Sequence, residues 1–231
     1  AIDLPTGLNA NTGAVDPSGI IADLTVALGF PKVGLLTSPG KERVGRLKIV
    51  DIGLPEGMKE EESINLELLT PEWAGAQLPK RPLISHKGTF GHLLVVAGSR
   101  NYVGAAFLVA QSAMRVGAGL VTLATPESIY PIVAGKLTEV IHLPLPEDNE
   151  GRVHPSAVGV IRPKLDSYNA LAVGSGLGWS AGTTEFMEQL LLDGSPTELP
   201  AVVDADGLNN LSGLNTWWRR MSRPAVVTPH P

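Results

Sequence analysis

The sequence predicts an α/β protein in which helices pack on a parallel sheet. Residues 86–125 carry the first observation: a strand, a glycine-punctuated loop, an amphipathic helix and a second strand follow one another without a break. That order is a β-α-β crossover, which is nearly always right-handed and sets its strands parallel. The second observation is that the alternation continues through the rest of the chain. The third is that strand-like runs end in Gly98-Ser99, in Gly174-Ser175-Gly176-Leu177-Gly178 and in Asp204-Ala205-Asp206. Ligands of open parallel sheets sit beyond the carboxyl ends of the strands, so function is expected at these turns.

Residues 1–56 are rich in turn formers and short β runs. Ile20–Leu28 and Leu47–Ile52 read as strands, the second closed by Gly53-Leu54-Pro55. Glycine and proline interrupt every run, which argues against long helices here. The charged stretch Lys59-Glu60-Glu61-Glu62 and the proline-dotted segment up to Pro82 mark a composition shift, and the domain boundary is set between residues 67 and 68. Pro71-Glu72-Trp73-Ala74 suits the opening of a short helix, because proline fits a first turn.

Strand Leu93–Ala97 then leads into helix Gly104–Val116, whose Phe107, Leu108, Ala110 and Met114 fall near helical spacing. Gly117-Ala118-Gly119 ends it, as glycine commonly ends helices. Strands are expected at Leu120–Ala124, Ala170–Val173, Ala201–Val203 and Ala225–Val227. Helices are expected over Ser128–Ala134, Val153–Pro163, Thr183–Leu192 and Gly207–Leu214.

Composition excludes several functions. The net charge of −5 and the lack of any Lys/Arg run argue against nucleic acid as a partner, which needs a basic footprint. The chain has no cysteine, so disulfides and thiolate metal sites are ruled out. Five scattered histidines without a His-Glu-x-x-His pattern argue against zinc. Apolar runs are too short to span a bilayer, and no basic-then-apolar leader opens the chain. A soluble cytoplasmic protein with no membrane partner is the expectation. Ala1-Ile2-Asp3-Leu4-Pro5 reads as a strand end already in progress, and the last residues follow directly on a strand. Both ends read as cut, so an internal piece of a longer protein is expected.

Each motif carries a chemical and a plainer reading. Gly98–Gly104 places glycines before a helix N-terminus, where free N–H groups and the helix dipole suit a phosphate; a tight turn also needs glycine. It is not a Walker A loop, since no Gly-Lys-Ser/Thr follows. Gly174–Gly178 lacks the Gly-x-Gly-x-x-Gly spacing but lets a ligand lie against bare backbone. Asp204 and Asp206, two apart on an extended end, point the same way and suit a magnesium-phosphate complex; Asp206 alternatively caps the next helix. His230 follows the last strand, where a lone histidine is more often structural. Asp3-Leu4-Pro5-Thr6-Gly7 offers hard oxygen ligands to a small cation or makes an ordinary turn. His86 and Lys87 precede a strand, hence lie at the edge away from the ligand, and take no catalytic role.

Together these motifs resemble a known family. Asp3-Leu4-Pro5-Thr6-Gly7, Ala22-Asp23-Leu24-Thr25 and Pro31-Lys32-Val33-Gly34-Leu35-Leu36 resemble the second half of the NAD(P)H-hydrate epimerase domain. His86–His92, Ala97-Gly98-Ser99, Gly104-Ala105-Ala106 and Gly117–Val121 look like the opening of NAD(P)H-hydrate dehydratase. Gly174–Gly178, Asp204-Ala205-Asp206 and Thr228-Pro229-His230-Pro231 continue that resemblance in order. The family is the bifunctional nicotinamide nucleotide repair enzymes. The resemblance implies the C-terminal part of a Rossmann-like epimerase domain over 1–67, then the N-terminal part of a ribokinase-like dehydratase domain over 68–231.

The resemblance also implies chemistry. The substrate is a water adduct of NADH or NADPH (NADHX or NADPHX), whose epimers the epimerase interconverts. The dehydratase phosphorylates the S epimer from ADP or ATP, with Mg2+, after which phosphate leaves and the double bond returns. Asp3 is implied as a hydrate contact and Thr6 as a potassium (K+) ligand, with threonine where the family usually has serine. Ala105, Gly176 and His230 are implied as substrate-binding residues, in a Gly-Ser-Gly where Gly-Pro-Gly is more usual. The catalytic carboxylate is expected beyond Pro231, and the epimerase substrate loop before Ala1, so the 231 residues alone are expected to be inactive. A homo-oligomer is expected. The competing readings are a vitamin-precursor kinase of the same fold and a non-catalytic nucleotide-binding module.

Overall fold

The computed structural model describes residues 1–55, 66–193 and 199–230. The charged stretch 59–62 and Pro231 lie outside these residues. The chain divides into two compact units, Ala1–Lys80 and Arg81–Pro231, whereas the sequence reading sets its boundary at 67/68.

In the first unit, β1 (Leu24–Leu28) pairs in parallel with β2 (Arg46–Val50), Leu24 opposite Arg46 and Leu28 opposite Val50. Ile2 adds a parallel bridge to Val26, so the chain does open on a strand-like segment. Ala27, Leu35 and Val44 form a small core with Leu4, Leu8 and Leu47. The expected strand Ile20–Leu28 is shorter than its apolar run. Ile20 and Ile21 are exposed, and the Ala22 N–H goes to the Arg43 carbonyl. Helix α1 (Pro71–Gln77) starts where expected, with the Thr70 hydroxyl accepting the Trp73 N–H at 3.2 Å.

The second unit is built on β3 (His92–Val96), β4 (Leu120–Pro126), β5 (Ile141–Leu145), β6 (Ala170–Val173), β7 (Ala201–Asp204) and β8 (Ala225–Thr228). They form one six-stranded sheet in the order β5-β4-β3-β6-β7-β8, every pairing parallel. Strand side chains alternate between faces. Val95, Val121 and Leu123 pack with Ala106, Ala110 and Ala113 of α2 (Val103–Val116) and with Val133 of α3 (Tyr130–Ala134). Small residues on α2 let the helix lie close to the sheet.

On the other face Leu94, Leu171 and Val203 pack with α4 (Ala157–Ile161), α5 (Ala181–Leu191) and α6 (Asp206–Ser212) through Ile161, Phe186, Leu190 and Leu211. A last helix, α7 (Trp217–Arg220), precedes β8. Ile161 is fully buried. Ile161→Val should therefore cost about 1 kcal/mol, measured as a lower urea midpoint at unchanged slope.

The sheet grows in two directions from its middle. From β3 the chain steps to β4 and β5, and from β6 it steps the opposite way to β7 and β8. The turns leaving β3 and β6 therefore diverge, and the crevice between them is the switch point at which such sheets take ligands.

Candidate functional site

The turns after β3 and β6 are bonded to each other. The Gly98 N–H donates to the Ser175 carbonyl at 2.9 Å, and Ser99 is buried beside it. Tyr102 stands at the N-cap of α2, and no side chain caps that helix, although the Ala105 N–H turns back to the Tyr102 carbonyl at 3.1 Å.

Gly176 shows why this turn takes glycine. Its φ is +74°, and a Cβ built there lies 2.7 Å from the Cβ atoms of both Ala105 and Tyr102. Ala105 and Gly176, expected to share a site, do face each other across the switch point.

Asp204 ties the remaining turns to this one. It accepts the Ser175 hydroxyl at 2.6 Å and the Thr228 hydroxyl at 2.7 Å, so the ends of β6, β7 and β8 meet at one carboxylate. The Ser175 hydroxyl holds the Asp204 carboxyl below the usual carboxylate range. Partial burial opposes this, while Thr228, the Ala205 N–H and the charge of His230 add to it.

The extended geometry expected for Asp204 and Asp206 is not found. Ala205 between them has φ +44°, so the chain bends sharply there. Both carboxylates still reach the glycine turn, Asp206 by accepting the Gly178 N–H at 2.9 Å. Asp206 also accepts from the Asn209 amide at 3.2 Å and is the first residue of α6, with Ala205 at the cap position. These oxygens serve as fasteners between turns. No group of three or more His, Asp or Glu among the described residues is placed to hold a metal.

The turns gather on a common rim but border two openings, not the single hollow that one nucleotide would suggest. An open hollow of about 380 Å³ is lined by Ala97, Ser112, Gly174, Ser175, Asp204 and Thr228. A smaller recess of about 190 Å³ lies at Ser99, Tyr102, Gly178 and Trp179. His86 and Lys87 are indeed elsewhere, at the amino end of the strands, where the Lys87 carbonyl packs against Gly119 just before β4.

In the first unit, Asp3 sits at φ +62° at the carboxyl end of β1. Its carboxylate accepts the Leu28 N–H at 3.1 Å and pairs with Lys32. The Lys32 hydrogen bond, then that of Leu28, lowers its pKa. Thr6 is exposed, and its carbonyl takes the Ile20 N–H at 3.1 Å.

Known proteins resemble this chain as follows. The NAD(P)H-hydrate dehydratase family pattern matches residues 93–231, more than half of the chain. A bifunctional NAD(P)H-hydrate repair enzyme of Moorella thermoacetica is 39% identical over 231 residues, covering 100% of this chain and 43% of its own length. That of Salinibacter ruber is 37% identical over 235 residues, again 100% of this chain and 43% of its own. The chain thus spans less than half the length of these relatives. Among solved structures, an ADP/ATP-dependent NAD(P)H-hydrate dehydratase from Bacillus subtilis, co-crystallised with ATP/Mg2+, aligns with a TM-score of 0.53 at 27% identity, over 73% of this chain and 55% of that one. A ribokinase-like superfamily protein from Enterococcus faecalis aligns at 0.55 and 20% identity, over 66% and 50%, and speaks for the fold alone. With the family pattern matched over more than half of its length, residues 93–231, this chain belongs to the NAD(P)H-hydrate dehydratase family.

Proposed function

We propose that the unit Arg81–Pro231 binds a nicotinamide dinucleotide hydrate and a phosphoryl donor, ADP or ATP, at the switch-point rim, as part of an enzyme that returns the S hydrate to NAD(P)H. The observation that carries this reading is the meeting of Ala105 and Gly176, with Asp204 fastening the neighbouring turns. A backbone without side chains lets a dinucleotide approach closely, and the start of α2, which no side chain caps, suits its phosphates. Ala105, Gly176 and His230 are assigned to the hydrate. When bound, the donor supplies the phosphoryl group that makes the hydrate's hydroxyl a leaving group. Magnesium is read as arriving on the donor's phosphates, since Asp204 and Asp206 are engaged by protein donors. Positioning is what the chain's own residues contribute: Asp204 keeps the turns at 175 and 228 in one register, and Gly98 locks the first turn to the second.

We read the first unit as a portion of the epimerase. The bifunctional relatives match this chain along its whole length, which supports that reading. Asp3, held as a carboxylate by Lys32 and Leu28, is assigned to the hydrate. The exposed Thr6 hydroxyl, a hard oxygen donor, is assigned to potassium. A small-alcohol kinase of the same fold is the competitor, and the whole-chain match to repair enzymes weighs against it.

Calorimetric titration of the 231-residue chain with S-NADPH hydrate tests the dehydratase reading. Binding is expected, with NADPH competing for the site. Ala105→Leu, which fills the space facing Gly176, should weaken binding about tenfold or more while leaving the circular dichroism unchanged. A chain that binds neither hydrate nor NADPH would overturn the reading.

A further inference from the structure

We infer that the recess between Tyr102, Arg152 and Trp179 is a seat for a flat adenine ring, an inference that rests on the dehydratase reading above. Trp179 is 68% exposed and Tyr102 53% exposed, yet both border one small recess next to the switch point. Large aromatic faces held out to water beside a ligand rim offer stacking surface at little entropic cost.

The third wall is a guanidinium whose charge is already satisfied. Arg152 Nε bonds Asp148 at 2.9 Å, and its Nη1 bonds Glu150 at 2.8 Å. Those two carboxylates already engage the guanidinium, which makes it a poor hook for phosphate. Arginine planes stack on aromatic rings and bases. The stem lies close to Gly178, where an added Cβ would come within 3.0 Å of Arg152 Cδ. The segment bearing Arg152 is fixed to the first turn as well, through the Arg100 N–H on the Gly151 carbonyl at 2.9 Å. Tyr102, Arg152 and Trp179, from three separate segments, line one opening together with Glu150.

Size and chemistry select the occupant. About 190 Å³ is below the roughly 300–1,000 Å³ of sites that enclose a whole drug-sized ligand, so the recess takes one part of a larger molecule. Addition of water makes a ring carbon of the nicotinamide tetrahedral, so that ring is no longer flat. Adenine is the planar aromatic part that remains, and both the dinucleotide and the phosphoryl donor carry one. Asn101 and Ser99 line the same opening, and residues of these types can pair with the ring's nitrogen edge.

The test titrates the chain separately with NADPH and with ADP, as wild type, Trp179→Ala and Trp179→Phe. Trp179→Ala should weaken one of the two by about tenfold or more, and Trp179→Phe should keep most of the affinity, because stacking needs a ring and not the indole. The nucleotide that loses affinity is the one whose adenine sits here. Nicotinamide mononucleotide, which has no adenine, should bind all variants alike. Thermal midpoints should be equal, since Trp179 lies on the surface. If Trp179→Ala binds every nucleotide that the wild type binds, and binds each equally well, the adenine seat is refuted and the dehydratase reading stands. If the wild type binds neither, both fall.

Discussion

Replacing Gly174 with alanine is expected to destabilise the second unit by about 3 kcal/mol or more. The residue follows β6 at φ +128°, a conformation that L side chains rarely adopt. An added Cβ would lie 2.0 Å from the Asp204 carbonyl oxygen and 2.8 Å from the Gly207 nitrogen. Both obstacles are backbone, so no side chain can rotate away to make room. Relief requires β6 and the start of α6 to separate, which would also pull Ser175 from Asp204. Urea unfolding should show the loss, and hydrate binding should disappear with it. Gly104→Ala is the control, because nothing lies within 4 Å of its added Cβ. A Gly174→Ala protein with the wild-type midpoint would contradict the packing described at this turn.

Asp204→Ala should cost about 2 kcal/mol and weaken hydrate binding about tenfold or more. The substitution strips two hydroxyls, those of Ser175 and Thr228, of a charged acceptor. It also uncouples the turn bearing Gly176 from the segment bearing His230. Asp204→Asn keeps the shape and separates charge from packing. The folded Asp204 pKa is lowered, chiefly by Ser175. Its contribution is therefore fully present above the unfolded value, about 3.9, and is lost as pH falls through the lower folded value. Asp204→Asn should flatten the acid limb of a stability-pH profile below about pH 4. An unchanged acid limb would show that the carboxylate is not held as described. Asp3, also lowered, gives the same sign in the first unit.

Residue patterns revealed the alternating architecture because the central strands are buried on both faces and read as unbroken apolar runs, as in Leu94-Val95-Val96. Strand β5 escaped that reading. Its Ile141-His142-Leu143-Pro144-Leu145 carries a proline, which an edge strand tolerates and a central one does not. The helix expected over Val153–Pro163 is confined to Ala157–Ile161 and tightens into a 3₁₀ turn over Arg162–Ser167, with Pro163 in its first turn. At the rim, glycine and aspartate clusters marked the turns, since each sits at a strand end that periodicity can locate. What joins them was hidden. Nothing local to Ser175 or Thr228 indicates that both reach Asp204, residues 29 and 24 positions away. Trp179 and Arg152 likewise gain meaning only from a fold that brings their segments together.

The two-directional growth of the sheet has a consequence for how occupancy is felt. Within the sheet, the β3–β5 wing and the β6–β8 wing join along a single seam, β3 against β6. A molecule seated across Gly98–Ala105 and Ser175–Gly178 would bridge both wings at that seam. Its affinity is then spent on cohesion of the whole sheet, about 2.7 kcal/mol at a hundredfold excess over the dissociation constant. Saturation should be legible far from the rim, as slowed amide exchange in strands the molecule never touches.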